Sequence, residues 1–355
     1  MREGLSPFTR SFREEEDMIT IDGSEGEGGG QVVRNACALS LVTGTPFRIV
    51  NVRGGREKPG LMRQHVTAIE AACAVGKGGE CEGVAVGARE ITFRPGKVGA
   101  GEYWFAVGTA GSTGLVLQTV LMPLLLAGGP SRLVLDGGTH NMLAPPFDFI
   151  AKAFLPVLRR MGAQVEARLV RHGFYPRGGG RIEVDVAPGA LAPIECVERG
   201  GLLSTSATAY IAGLPFDIAE REIACVRKSF DWPDRSFAIR ELPEEQGPGN
   251  ILLLEAEYEH VTEVVSGFGQ LGVPAEKLAK RAVGRMTGYL ESSAFAGPYL
   301  ADQLLLPFAL AGGGAFTTVK PSQHSLTAAA VIERFLDRRC VLTLLPGGSH
   351  RMEVQ

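Results

Sequence analysis

The segment ALSLVTGTPFRIVNVRGG, residues 38–55, reads as the end of an apolar helix, a glycine turn, a short strand and a polar, glycine-rich loop. The same layout returns in MPLLLAGGPSRLVLDGGTHN (122–141) and in LPFALAGGGAFTTVKPSQHS (306–325). A helix-period stretch follows each loop, at 63–74, 147–161 and 325–336. In the second of these, Phe147, Ile150, Phe154, Val157, Leu158 and Met161 keep the i, i+3, i+4 spacing of an amphipathic helix. Repetition of one supersecondary pattern predicts a single α/β unit used three times. The spacing is uneven, however. Gly44 and Gly128 stand 84 residues apart and Gly128 and Gly312 stand 184 apart, so the second interval holds 100 additional residues, enough for a domain of its own.

The expected fold class is therefore α/β. Three repeated units make a large domain from 18–186 and 286–355, and a smaller α/β domain is inserted at 187–285. Inside the insert, 201–212 and 250–257 read as strands and 261–271 and 275–290 as helices, with GPGN (247–250) as a turn. If the units pack around a common axis, the polar loops at 53–58, 137–141 and 321–324 converge on one cleft.

Composition narrows the function classes. At 355 residues, with 45% hydrophobic and 21% charged side chains, the chain has an ordinary folded composition and room for more than one core. The 47 glycines are scattered among apolar segments, which suits tight turns rather than disorder. A net charge of −3 excludes a protein that coats long stretches of nucleic acid, but not one that grips a single strand end through local cations. The six cysteines form no C-x-x-C pair, so no zinc or redox motif is signalled, and a reduced, cytoplasmic protein is expected. The polar residues 1–17 lack the apolar core of a signal peptide and read as a flexible extension. The apolar run 115–127 is shorter than the ~18 residues of a membrane span and reads as a buried helix; no membrane partner is expected.

Several residues can carry chemistry. The strand MITIDG (18–23) runs into SEGEGGGQVVRNA, a glycine-rich turn opening a helix, where backbone amides and the helix dipole favour phosphate. The turn fits neither standard nucleotide motif, and a purely structural turn is the alternative. Glu27 in that turn suits a divalent cation or a helix cap. RGGREKPGLMRQH (53–65) sets Arg53, Arg56, Lys58 and Arg63 against Glu57 alone, a pattern suited to bidentate phosphate binding or to a solvated loop. Gln118, an amide within an apolar run, faces either a ligand or a core partner, and Asp302 and Gln303, heading an apolar helix, either point into the cleft or mark the exposed start of the helix. Of six histidines, His324 stands out. PSQHSLT places it at a helix entry beside Ser322 and Ser325, where a neutral imidazole can act as a nucleophile or bond the backbone. His140, in a repeat loop, either assists or stabilises a turn, and His172 reads as part of a structural turn.

Together these stretches resemble the RNA 3′-terminal phosphate cyclases. The similarity runs through DGSEGEGGGQVVRNA (22–36), RGGREKPGLMRQH (53–65), GSTGLVLQTVL (111–121), RHGFYPRGGGR (171–181), EREIA (220–224), EQGPGN (245–250), YLADQLLLPFALAG (299–312) and PSQHSLT (321–327), in the family's order. The resemblance implies three units of a small sheet with two helices each, and one inserted domain before the last. It implies an ATP-dependent ligase that turns an RNA 3′-phosphate into a 2′,3′-cyclic end. In that reaction His324 attacks the α-phosphorus, and AMP then passes to the RNA 3′-phosphate before the 2′-hydroxyl displaces it. By residue matching, Arg34, Arg53, Arg56, Gln64 and His65 belong to the phosphate and RNA contacts and Glu27 to a divalent cation, Mg²⁺ or Mn²⁺. Gln118, Pro145, Tyr299, Asp302 and Gln303 belong to the adenylate pocket. Many relatives carry Cys where Gln323 precedes the histidine. A monomer or homodimer is expected. The competing readings are a non-catalytic, cyclase-like protein of ribosome assembly, which would lack the nucleophile, and an enolpyruvyl transferase, which would need a phosphoenolpyruvate site.

Overall fold

The structure, a computed structural model, describes residues 18–355; the extension expected at 1–17 lies outside the described residues. It is a mixed α/β protein, as the sequence predicts. Strand β1 (Ile19–Asp22), helix α1 (Gly30–Thr43), β2 (Phe47–Val50), α2 (Arg63–Val75), β4 (Glu80–Glu82) and β5 (Ile91–Arg94) build a sheet of order β1-β2-β5-β4. β1 and β2 are parallel and the other pairs antiparallel. The short strands β3 (Gly76–Lys77) and β6 (Lys97–Val98) pair beside it.

A second sheet uses β7 (Gly101–Ala106), α3 (Thr113–Leu125), β8 (Ser131–Gly137), β9 (Gln164–Arg171) and β10 (Gly180–Ala187), ordered β7-β8-β10-β9. The helix α4 before β9 runs Phe147–Phe149, a π-helical turn Ile150–Phe154, then Leu155–Arg160. A third sheet pairs β11 (Glu195–Cys196), β16 (Gly314–Thr318), β18 (His350–Val354) and β17 (Cys340–Leu344), with α7 (Pro298–Leu310) before β16 and α8 (Gln323–Phe335) after it. In each sheet the first pair is parallel and the rest antiparallel. A parallel pair needs a crossover, and the helix before β2, β8 or β16 provides it.

Between β11 and α7 lies a fourth sheet of order β13-β12-β14-β15. Its strands are β12 (Leu202–Ala212), β13 (Phe237–Leu242), β14 (Gly249–Tyr258) and β15 (Thr262–Phe268), packed with α5 (Asp217–Ser229) and α6 (Ala275–Leu290). The helix expected at 261–271 is wrong. Those residues form β15, antiparallel to β14. Val264, Val265 and Gly267 are buried, and both α4 and α6 pack on this strand. A strand covered on both faces loses the polar alternation that marks a strand in sequence, and its β-branched residues decide the outcome. Helix α5 escaped the sequence reading altogether.

The helices of the three sheets pack on one another. α1 touches α2, α3 and α8, and α8 touches α7. In α3 every residue is buried except Gln118, and in α7 the buried run from Leu300 to Ala309 is interrupted only at Gln303. Helices apolar all round belong in an interior, so these two half-exposed amides mark where that interior opens. Among the described residues, no helix is long and apolar enough to cross a membrane.

Candidate active site

The turn between β1 and α1 is the floor of the site. Gly26 and Gly28 take positive φ (62° and 58°), Gly28 packs against Gly55 of the next loop, and Gly26 against Thr327 of α8. A Cβ at either glycine would meet those neighbours, so the close approach of three separate chain segments depends on their absence. The Glu27 amide donates to Thr327 Oγ1 at 2.9 Å, which ties the turn to α8. Glu27 caps no helix; Gly29 is the N-cap of α1. Its side chain is 9% exposed, is paired with the Arg56 guanidinium, and has Oε2 3.6 Å from His324 Nδ1.

His324 is the second residue of α8, whose N-cap Ser322 accepts the Ser325 amide at 3.1 Å. Its Nδ1 lies 3.0 Å from Gln31 Oε1. Since an amide oxygen can only accept, Nδ1 carries the proton and Nε2 keeps a free lone pair. Burial, then the charges of Arg34 and Arg56, hold the imidazole below its ordinary pKa of 6.5, so it is neutral at pH 7. A neutral, oriented imidazole with one free nitrogen is a nucleophile.

Beside it opens a cleft lined by Gln31, Arg34, Asn35, Gln118, Asp302 and Gln303 together with apolar residues such as Leu121 and Phe154. Gln118 donates to Gln303 across it. Asp302 accepts Ser322 Oγ at 2.6 Å and also Ser325 Oγ. Burial raises Asp302 to about 6 although both hydroxyls favour its ionised form. Arg34 is lowered to about 10 by burial, and its Nε has no hydrogen-bond partner among the described residues. An unpaired buried guanidinium nitrogen is costly and is ready for an anion.

The remaining predicted residues fall into two groups. Arg53 Nη1 donates to the carbonyls of Lys58 and Gly60, at 2.9 and 2.7 Å, and so shapes its own loop. Gln64 accepts the Ser112 amide at 3.2 Å, joining α2 to the start of α3. His65 Nδ1 accepts the Met62 amide at 3.0 Å, and its Nε2 edge packs on Gly30. Burial, then Arg34, Arg53 and Arg56, push it down to about 3, so it is neutral. Pro145 and Tyr299 do not line the cleft. Pro145 packs by its carbonyl near Gly114, and Tyr299 Oη accepts Arg285 at 3.3 Å. Gln31, Asn35 and Thr327 were missed. The signal for the first two was there, because Gln31, Arg34 and Asn35 form an i, i+3, i+4 polar stripe on an otherwise apolar helix.

Residues 25–342 match the family model described as RNA 3′-terminal phosphate cyclase. The chain belongs to the RNA 3′-terminal phosphate cyclase family. It is 48% identical over 327 residues to the RNA 3′-terminal phosphate cyclase of Ectopseudomonas mendocina (strain ymp), covering 92% of this chain and 95% of that one. It is 49% identical over 320 residues to the protein of that name from Ralstonia nicotianae (strain ATCC BAA-1114 / GMI1000), covering 90% and 91%. In this cyclase-family chain Gln31 and Arg34 belong both to the cleft and to the surroundings of His324, so the two regions are one site.

Proposed function

We propose that the chain is an ATP-dependent RNA 3′-phosphate cyclase working through a covalent His324–AMP intermediate. The observation that carries the reading is the half-exposed His324, neutral, oriented by Gln31, and set beside Arg34, Arg56 and the mouth of a polar cleft. Nε2 attacks the α-phosphorus of ATP; an N–P bond forms as the bond to pyrophosphate breaks. The adduct leaves positive charge on the ring, and Glu27, 3.6 Å from Nδ1, offsets it. An oxygen of the RNA 3′-phosphate then attacks the same phosphorus and frees His324. The neighbouring 2′-hydroxyl attacks the 3′-phosphorus, loses its proton and expels AMP. That last step is intramolecular, so positioning alone can contribute roughly 7–11 kcal/mol.

Arg34 and Arg56 are the fixed cations for the charge that gathers at both phosphorus centres. The cleft between Gln118, Gln303 and Asp302 takes the adenylate. The 2′-hydroxyl requirement selects RNA over DNA. Glu27 also fits a divalent cation. Its oxygens accept no hydrogen bond, with the Arg56 guanidinium paired to it and the neutral His324 ring 3.6 Å away, and among the described residues no cluster of three acidic or His/Cys ligands forms a cage. A lone carboxylate suits Mg²⁺ or Mn²⁺ that takes its other ligands from phosphates and water. When bound, the cation neutralises phosphate charge. The inserted domain is assigned to β12 through α6, since β11, inside the expected 187–285, pairs with β16 of the third sheet and α6 runs on to Leu290; β14 is joined to α4 through Lys152 Nζ and Glu255 Oε1 at 2.6 Å.

Incubation with α-labelled ATP and Mg²⁺ or Mn²⁺ tests the reading. The expected result is an acid-labile label on the protein that His324→Ala abolishes and that a 3′-phosphorylated RNA chases into cyclic ends. Absence of the label in the unaltered protein overturns it.

A further inference from the structure

Two family-like stretches, RHGFYPRGGGR (171–181) and EQGPGN (245–250), have no part in the mechanism above, yet they pack on each other. The His172 amide donates to Gln246 Oε1 at 3.1 Å, and Arg171 donates to the Glu245 carbonyl at 2.9 Å. Phe174 is buried against Gly249, where a Cβ would collide with its ring. The Phe174 ring also lies against His140 and His172, with centroids 5.6 and 6.1 Å away. On the opposite side Gly178 abuts the Thr109 carbonyl in the loop before α3. The β9–β10 loop is thus fixed on both sides.

Its tip points outward nevertheless. Tyr175 is 71% exposed, and Arg177 beside it is exposed. β8 and β9 end on the same side of their sheet, since each is antiparallel to β10, so the β8–α4 loop lies at this end too. There Leu143 is 96% exposed and held at φ 63°, a conformation that costs a non-glycine residue free energy. The loop before α3 connects this end to the proposed active site. Its Ala110 carbonyl accepts Asn141 of the β8–α4 loop, its Ser112 amide is held by Gln64, and the exposed Arg63 reaches Gly108. His65, two residues after Arg63 in the same helix α2, packs on Gly30 at the head of α1.

Tyr175 thus stands exposed at the tip of a loop anchored on both sides, with Arg177, which also donates to the Gly247 carbonyl at 3.4 Å, two residues on, and with the exposed Arg63 reaching the Gly108 turn of the neighbouring loop. This arrangement is what single-stranded nucleic acid needs: a face for a base to stack on, and cations for the phosphates. We infer that Tyr175 is the stacking platform for a nucleobase upstream of the reacting 3′ nucleotide, with Arg177 and Arg63 serving that strand's phosphates. This rests on the cyclase reading.

The test compares kcat/KM for cyclisation of a trinucleotide 3′-phosphate, the same trinucleotide with both upstream bases removed, and a mononucleoside 3′-phosphate. The unaltered protein prefers the intact trinucleotide to the abasic one. Tyr175→Ala lowers that preference by about 5- to 150-fold, the equivalent of 1–3 kcal/mol per stacked base. Tyr175→Trp restores it. Because the abasic and mononucleoside substrates are internal controls in the same variant, a folding defect lowers all three rates together and leaves the preference intact. An unchanged preference in Tyr175→Ala, or none in the unaltered protein, overturns the assignment. If the unaltered protein makes no cyclic ends at all, the cyclase reading fails separately. Anisotropy titration of a labelled trinucleotide 3′-phosphate against its abasic counterpart then decides on Tyr175: a base-dependent affinity that Tyr175→Ala removes upholds it, and equal affinities overturn it.

Discussion

Gln31 Oε1 lies 3.0 Å from His324 Nδ1 although 293 residues separate them. The contact fixes the tautomer of the imidazole and its rotation, so that Nε2 is the nitrogen left to react. An intact bond of this kind costs nothing at the moment of reaction, whereas a freely rotating ring must first find its attacking pose. Removing the amide with Gln31→Ala should slow incorporation of label from α-labelled ATP by about 10- to 100-fold, as expected for a misplaced reacting group. Rapid-quench measurement at saturating ATP checks this. An unaltered rate would mean that Gln31 only lines the cleft.

The pH dependence of labelling follows from the charges around His324. Burial, then Arg34 and Arg56, keep the ring neutral to below pH 6.5, and only the neutral ring attacks. The labelling rate should therefore be level above pH 6.5 and fall only on the acid side of it. Arg34→Met removes a positive charge that opposes protonation, so the acid limb should move to higher pH. A limb that stays in place would show that burial alone sets it.

Gln118 and Gln303 satisfy each other across the cleft. Gln303→Leu leaves the Gln118 amide without its partner at the proposed adenylate pocket. The expected result is a KM for ATP raised roughly fivefold, from a hydrogen bond of about 1 kcal/mol. A fall in melting temperature with KM unchanged would reduce the pair to a core bridge.

His140 serves the scaffold. Its Nε2 pairs with Asp148 Oδ2 at 2.9 Å, its Nδ1 with Thr139 Oγ1 at 2.8 Å, and its ring stacks on His172 with centroids 4.8 Å apart. His140→Ala strands a buried carboxylate, leaving only Lys152 at 3.8 Å. Loss of about 2–3 kcal/mol is expected, the cost of leaving a buried charged acceptor without its donor. Urea unfolding measures it, and a loss under 1 kcal/mol would contradict the assignment.

How much of this was legible beforehand depends on whether the information was local. The helix–glycine–strand–loop layout around Gly44, Gly128 and Gly312 was readable because periodicity and turn chemistry act over a few residues. Glu27, Arg56 and His324 were readable as reactive types in loops. Strand β15 was misread because its cover comes from α4 and α6, which local sequence does not show. Pro145 and Tyr299 are not among the residues that line the cleft of Gln118, Asp302 and Gln303, because matching residues to a pattern fixes position along the chain and not direction in space.

The sequence by itself determined the α/β class, the spacing of the loops and the place of His324 at a helix entry beside two serines. Only the tertiary structure decided that Gln31 orients that histidine, that Glu27 stands 3.6 Å from it, and that Gln118 meets Gln303. Helix and turn propensities are set by neighbours along the chain. Protonation state, orientation and the lining of a cleft are set by groups hundreds of residues away, brought close when α1, α3, α7 and α8 bury their apolar faces together.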